Sequence, residues 1–297
     1  MSKKGVLYAL LLSVSAIWGA TFAVMKEATK EFSPLLIVFC RVGGASFLLG
    51  LTLLFLGKKA KLYKEDIPLF FLLGLIGVSV FMPLQIYAVS FTYASHASML
   101  IALTPVMATL IAWAIGIQKM NATIFIGLGL AVSGVVLLAS QSFESALGAD
   151  ILWGNGLILL SGIFWASFSL LGTKIMKHYP PIVAVGYIYL FGFGQLLCFS
   201  LLVQDHWPIY LEQIKNASTM GWVYIGFLSL CASYYSFFIW YRGIEILGPV
   251  KTTTFQYFNP LFGSLTAMLL LGEAITLYLL GGGIFIIGGV WLVNRSR

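Results

Sequence analysis

Arg41 is the costliest group in this chain. It lies about two helical turns into the apolar run 34–56, where a cation costs about 2.5–3.5 kcal/mol even on the lenient insertion scale. It must snorkel outward or pair with a carbonyl or an acid, and Glu27 and Glu31 are the nearest acids in sequence. A structural pairing is the first expectation; attraction of a small molecule's carboxylate is the second. Pro105 and Pro260 stand mid-run at 94–116 and 249–271. A mid-helix proline frees a carbonyl one turn earlier and kinks the helix. The adjacent Thr104, Gln256 and Asn259 can satisfy that backbone or face a wet cavity. The competing reading is a packing kink with no ligand.

Trp18 and Trp165 sit near the middle of runs 5–25 and 151–173, away from the headgroup depth where Trp normally anchors. Phe22 and Ser169 follow them by one turn, giving two matched stripes. Tyr234, Tyr235 and Phe238 are expected to share a face of a further helix, with Ser233 and Ser236 beside them. These rings are either packing aromatics or the wall of a site. His96 opens the run 94–116 and could exchange protons near neutral pH, although a lone His is usually an ordinary polar end residue. Lys251, followed by Thr252, Thr253 and Thr254, reads as a loop charge.

What is missing narrows the chemistry further. No Asp or Glu stands in the middle of any apolar run; Glu27, Glu245 and Glu273 fall at ends or in loops. Three scattered histidines and no buried acid pair leave neither a metal cluster nor an aspartyl dyad. No Walker-type loop is present, so no nucleotide and no other cofactor is expected. Cys40, Cys198 and Cys231 all lie in apolar stretches, which argues against a disulfide framework. With no central cation expected, the aromatic and amide groups suit a zwitterion with an apolar side chain better than a phosphate or a sugar acid.

The elements that must position these groups follow from composition. The chain has 297 residues, 60% hydrophobic and 9% charged, with a mean hydropathy of +0.98. Soluble domains carry about 25% charged residues, so a soluble enzyme, a nucleic-acid binder and a disordered chain are excluded. Apolar runs fall at 5–25, 34–56, 67–90, 94–116, 121–140, 151–173, 181–203, 219–241, 249–271 and 275–293. Each approaches the roughly 20 residues that cross a bilayer. The first lacks a small-residue cleavage site and reads as a span rather than a signal peptide. The longest polar connector, 204–218, could form a small interfacial helix.

Charge sets the orientation. Lys3, Lys4, Lys58, Lys59, Lys61, Lys64, Lys119, Lys174, Lys177, Arg242, Lys251, Arg295 and Arg297 collect on one side. Lys26, Lys30 and Lys215 collect on the other. The rich side is cytoplasmic by the positive-inside rule, so ten spans with both termini cytoplasmic are expected. The formal net charge of +7 is therefore a topology signal.

The chain also repeats. Pro34-Leu35-Leu36-Ile37-Val38 recurs as Pro181-Ile182-Val183-Ala184-Val185, and Trp18-Gly19-Ala20 as Trp165-Ala166-Ser167, both at an offset of 147. Later the offset is 155: Thr104-Pro105 over Asn259-Pro260, Gln118 over Glu273, Gly127 over Gly282, Gly134 over Gly289. A five-span unit repeated within one chain must enter the membrane from opposite sides. Two inverted halves, 1–145 and 146–297, are expected. Such repeats build alternating-access transporters with a midplane site at the repeat interface. Glycines in spans 5 and 10 are packing devices, within a monomer or at the seam of a homodimer.

These residues also carry a resemblance. Ala16-Ile17-Trp18-Gly19-Ala20-Thr21-Phe22, Phe39-Cys40-Arg41, Asn259-Pro260-Leu261 with Leu271-Gly272-Glu273, and the paired glycines 281–282 and 288–289 resemble the EamA family of the drug/metabolite transporter superfamily. The resemblance implies a ten-helix fold and export of amino acids or other small metabolites. It also implies a cavity lined by spans 1, 3, 4, 6, 8 and 9. One departure is Ile115-Gly116-Ile117-Gln118, where the family often has a Gly-Glu pair.

The expectation is an all-α integral membrane protein with a small amphipathic substrate, embedded in the lipid bilayer of the cell membrane, which in a bacterium is the cytoplasmic membrane. The rival is a non-transporting ten-helix scaffold, lipid-handling or receptor-like.

Overall fold

The computed structural model describes residues 3–116, 119–140, 148–176, 178–202, 207–247, 252 and 254–295. Ile117, Gln118, Lys177, Lys251, Thr253 and Arg297, named above, lie outside them. The described residues form helices and short connectors, with no strand among them. The protein is an all-α, multi-pass membrane protein. Eight helices are long and apolar enough to cross a bilayer by length and composition. They are α1 (Lys3–Ala28), α2 (Pro34–Leu56), α3 (Lys64–Phe91), α4 (Ala94–Ala114), α5 (Ala122–Ser140), α6 (Gly148–Ile175), α7 (Pro181–Leu202) and α8 (Thr219–Leu247). Two further apolar helices follow, α9 (Asn259–Leu271) and α10 (Leu277–Arg295). A short amphipathic helix, Trp207–Asn216, occupies the longest polar connector.

Four of these elements are irregular in matched ways. α3 widens to a π-helix over Leu75–Val80, and α8 over Phe227–Tyr235. α4 breaks at Ala102 and Leu103 before resuming at Thr104-Pro105. A 3-10 stretch, Thr254–Phe258, leads into α9 at Asn259-Pro260. Each proline therefore occupies the first turn of a helical segment. Its missing N–H costs least there, because first-turn N–H groups lack an intrahelical partner anyway. Gly116 after α4 (φ 75°) and Gly272 after α9 (φ 68°) take the left-handed conformation that closes a helix at little cost without a Cβ.

Close crossings fix the helix pairs. α5 packs on α10 with their backbones almost touching: a Cβ on Gly289 would stand 2.5 Å from the Gly127 carbonyl oxygen, and one on Gly134 2.6 Å from that of Gly282. α1 crosses α9 at Gly19, where a Cβ would stand 2.6 Å from the Asn259 carbonyl oxygen. α6 packs on α3 and α4, α7 on α2 and α3, and α2 also on α8. Exposed apolar side chains such as Phe55, Phe125, Val136, Leu269 and Ile284 are the face turned to lipid, which needs no polar cover.

Candidate functional site

A cavity of about 610 Å³ of atom-free space, its mouth included, lies between α1, α2, α3, α4, α6, α8 and α9. Five aromatic rings stand in its wall. Trp18 of α1 meets Trp165 of α6 edge to face, with centroids 6.1 Å apart at 83°. Phe237 of α8 completes the cluster, 5.6 Å from Trp18 and 5.7 Å from Trp165. Phe81 of α3 lies 5.0 Å from Trp165. Trp18 Nε1 donates to the Ala232 carbonyl at 3.0 Å, within the π-helical stretch of α8. A π-turn shifts backbone pairing from i→i−4 to i→i−5, which opens such a carbonyl to a side chain from elsewhere.

The polar groups enter from the broken helices. Thr104 Oγ1 donates to the Ile101 carbonyl at 2.6 Å across the interruption of α4. Asn259, at the start of α9, lines the same space with its side-chain oxygen buried and without a hydrogen-bond partner. Gln256 of the 3-10 stretch and the buried Gln85 of α3 add two amides, and Thr21 a hydroxyl.

Arg41 also lines this cavity, 3% exposed. Its Nε donates to Ser233 Oγ at 2.9 Å, and Nη1 lies 3.7 Å from Met25 Sδ. The expected acids are engaged elsewhere. Glu27 pairs with Lys30 at 2.5 Å, and Glu31 accepts from the Ser218 N–H and hydroxyl at 2.7 Å each. No carboxylate pairs with Arg41 among the described residues. The expectation that no central cation is present is thereby corrected. α2 packs its Arg41 face against α8, where Ser233 Oγ accepts from the guanidinium.

The cavity thus gathers Trp18, Phe22, Thr104, Trp165, Gln256, Asn259 and Arg41 from the expected residues. Others stand outside its wall. Tyr234 OH bonds Thr52 Oγ1 of α2 at 3.1 Å, and Tyr235 OH bonds Ser13 Oγ of α1 at 2.9 Å; both tie helices together. Ser169 Oγ donates back to the Trp165 carbonyl at 2.8 Å. Phe238 is 38% exposed, and its neighbour Phe237 faces inward instead. The π-helical stretch just before it has a wider turn than an α-helix, so counting at 3.6 residues per turn picks the wrong phenylalanine. Pro105 and Pro260 shape the cavity through the backbone rather than by lining it. Sequence reading passed over Thr21, Phe81, Gln85 and Phe237. Gln85 carried a usable signal, a lone amide deep in an apolar run.

One end of the bundle is held by Glu273. Its carboxylate accepts from the N–H groups of Ala94 (2.8 Å) and Ser95 (3.0 Å) and from Ser95 Oγ (2.6 Å). It thereby caps α4, where the helix dipole also favours an anion. Lys26 of α1 lies 3.8 Å from Glu273 Oε1 and donates to the Thr92 carbonyl. His96 is buried beside this cap, 5.0 Å from the Tyr93 ring and outside the main cavity. Among the described residues no cluster of His, Cys, Asp or Glu could hold a metal ion.

Comparison with known proteins decides the family. The model of the EamA-like transporter family matches residues 3–140 and 152–295. The chain belongs to that family. Among similar members, an uncharacterized transporter of Archaeoglobus fulgidus is 27% identical over 288 residues, covering 97% of each chain. The uncharacterized transporter YyaM of Bacillus subtilis is 26% identical, covering 96% of this chain and 92% of its own. The WAT1-related protein At3g02690, chloroplastic, of Arabidopsis thaliana is 24% identical, with 97% and 69% covered. One solved crystal structure, 15% identical, covers 98% of both chains at a TM-score of 0.65; that likeness carries the fold alone. This EamA-like chain is a membrane transporter by family and by the names its relatives bear.

Proposed function

We propose that this EamA-like protein is a secondary transporter exporting small amphipathic metabolites, amino acids among them, by alternating access around the Trp18–Trp165 cavity. Ten helices span the membrane as two inverted halves, 1–145 and 146–297, with both termini cytoplasmic. The observation that carries the reading is a polar and aromatic cavity whose walls come from both halves.

The repeat is supported at several points. The family model matches two stretches of similar length. π-helical widening falls in α3 and α8, and proline-led breaks fall in α4 and at α9, which are equivalent members of the two halves. Gly127 meets Gly289 and Gly134 meets Gly282. Adding 155 to Gly127 and subtracting it from Gly289 turns the first pair into the second, as a two-fold axis between α5 and α10 would. Discontinuous helices at a repeat interface are where transporters hold substrate.

The test is counterflow in proteoliposomes across an amino-acid panel, with and without a proton gradient. Exchange by the purified protein above empty liposomes supports the reading. Absence of exchange for every compound, with scrambling of lipid instead, would favour the lipid-handling scaffold. Cysteines placed at Ala60 and Lys177 should label from the cytoplasmic side and one at Ala146 from outside. Labelling of Ala146 and Lys177 from the same side would sink the inverted repeat.

A further inference from the structure

We infer that the cavity selects a monocarboxylate with an apolar or aromatic body, and that Arg41 is the group that receives its carboxylate. The inference rests on the reading of this cavity as the transport site. Arg41 is buried, its Nε is spent on Ser233, and its Nη1 meets only a thioether sulfur. Its Nη2 makes no hydrogen bond to the described residues, and no Asp or Glu lines the cavity. The cavity therefore carries one uncompensated positive charge in a medium where an unpaired charge is expensive. A guanidinium is built to take a planar carboxylate.

Charge arithmetic decides among ligands. One carboxylate neutralises Arg41, whereas a phosphate dianion would leave an excess negative charge with no second cation in the wall. An amine with no acid would bring a second positive charge beside the first. A zwitterion satisfies Arg41 but leaves its ammonium with no carboxylate in the wall, only amide and hydroxyl oxygens and ring faces. In the wall of the same cavity, the Asn259 side-chain oxygen is buried without a partner, so a hydroxyl or N–H on the ligand would add a second polar anchor. Trp18, Phe22, Phe81, Trp165 and Phe237 take the apolar body.

The experiment uses the full-length protein in nanodiscs with phenylacetate, 3-phenylpropionate and hexanoate, each against its primary amide, which has nearly the same shape and no charge. Binding is read by calorimetry and by thermal protection. At least one acid is expected to bind about ten-fold or more tightly than its amide. Arg41→Gln should erase that preference, and Arg41→Lys should keep part of it. Equal binding of acid and amide, no binding of any acid, or a preference that survives in Arg41→Gln would overturn the assignment. Should Arg41→Gln fail to elute as a monodisperse peak, the acid-to-amide ratio of the wild type decides alone. Counterflow of the same probes separates the two readings. Acids and amides exchanged equally would leave transport standing and remove the carboxylate. Arg41-dependent binding without any exchange would keep the carboxylate and remove transport.

Discussion

Trp18 and Trp165 stand 147 positions apart in sequence and edge to face in space, their ring centroids 6.1 Å apart. One comes from the first apolar helix of the chain and the other from the sixth. Their contact closes one side of the cavity that Arg41 and Asn259 enter from other helices. Edge-to-face pairs are worth roughly 0.5–1.5 kcal/mol beyond burial, so the cluster holds its geometry while leaving ring faces for a ligand.

Trp165→Ala removes the ring shared by Trp18, Phe81 and Phe237, and Asn259→Ala removes the amide at the break before Pro260. Each should weaken substrate binding at least several-fold while leaving expression and monodispersity intact. Titration of the purified variants measures it. Unchanged affinity in both would remove this cavity as the site.

Glu273 supplies three hydrogen bonds to the first turn of α4. Loss of a helix cap costs typically about 1 kcal/mol, and bonds to a charged group somewhat more. Glu273→Ala should lower unfolding stability by about 1–2 kcal/mol, read as a drop in Tm of the solubilised protein. Glu273→Gln should lose less, because its amide oxygen still accepts. An unshifted Tm for Glu273→Ala would show that water replaces the cap.

Gly289→Ala places a methyl 2.5 Å from the Gly127 carbonyl oxygen. Backbone cannot give way as a side chain can, and overpacking costs about 1–3 kcal/mol. The α5–α10 seam should part, with loss of thermal stability and monodispersity. Gly129→Ala, on the same pair of helices with open space around it, should be neutral or slightly stabilising through helix propensity. Equal behaviour of the two variants would contradict the close crossing.

Glu31 accepts from both the hydroxyl and the N–H of Ser218, and those bonds hold its carboxyl below the usual carboxylate range. The folded protein thus binds this proton more weakly than the unfolded chain. The stabilisation is complete above the unfolded value, near pH 4, and is lost as pH falls through the lower folded value. Thermal melts between about pH 6 and 3 should show a steeper acid loss for wild type than for Glu31→Gln. Parallel curves would exclude the contribution.

The residues alone determined that this chain lives in a bilayer, where its apolar runs fall, and that Pro105 and Pro260 interrupt two of them. Hydropathy and proline geometry act within one helix, so a linear reading reaches them. Trp18 and Trp165 were legible for a related reason, since an indole at mid-run is unusual wherever the chain folds. The partner of Arg41 was not legible. Glu27 and Glu31 were near in sequence, yet Lys30 and Ser218 claimed them, and Ser233 of α8 received the guanidinium. Phe237 replaced Phe238 because a π-helical stretch changed the register of α8, and no residue type announces a π-turn. Glu273 reads as a helix-end acid, but the N–H groups it satisfies belong to α4, some 180 residues earlier. Those choices depend on which surfaces meet across the bundle, and only the tertiary structure brings them together.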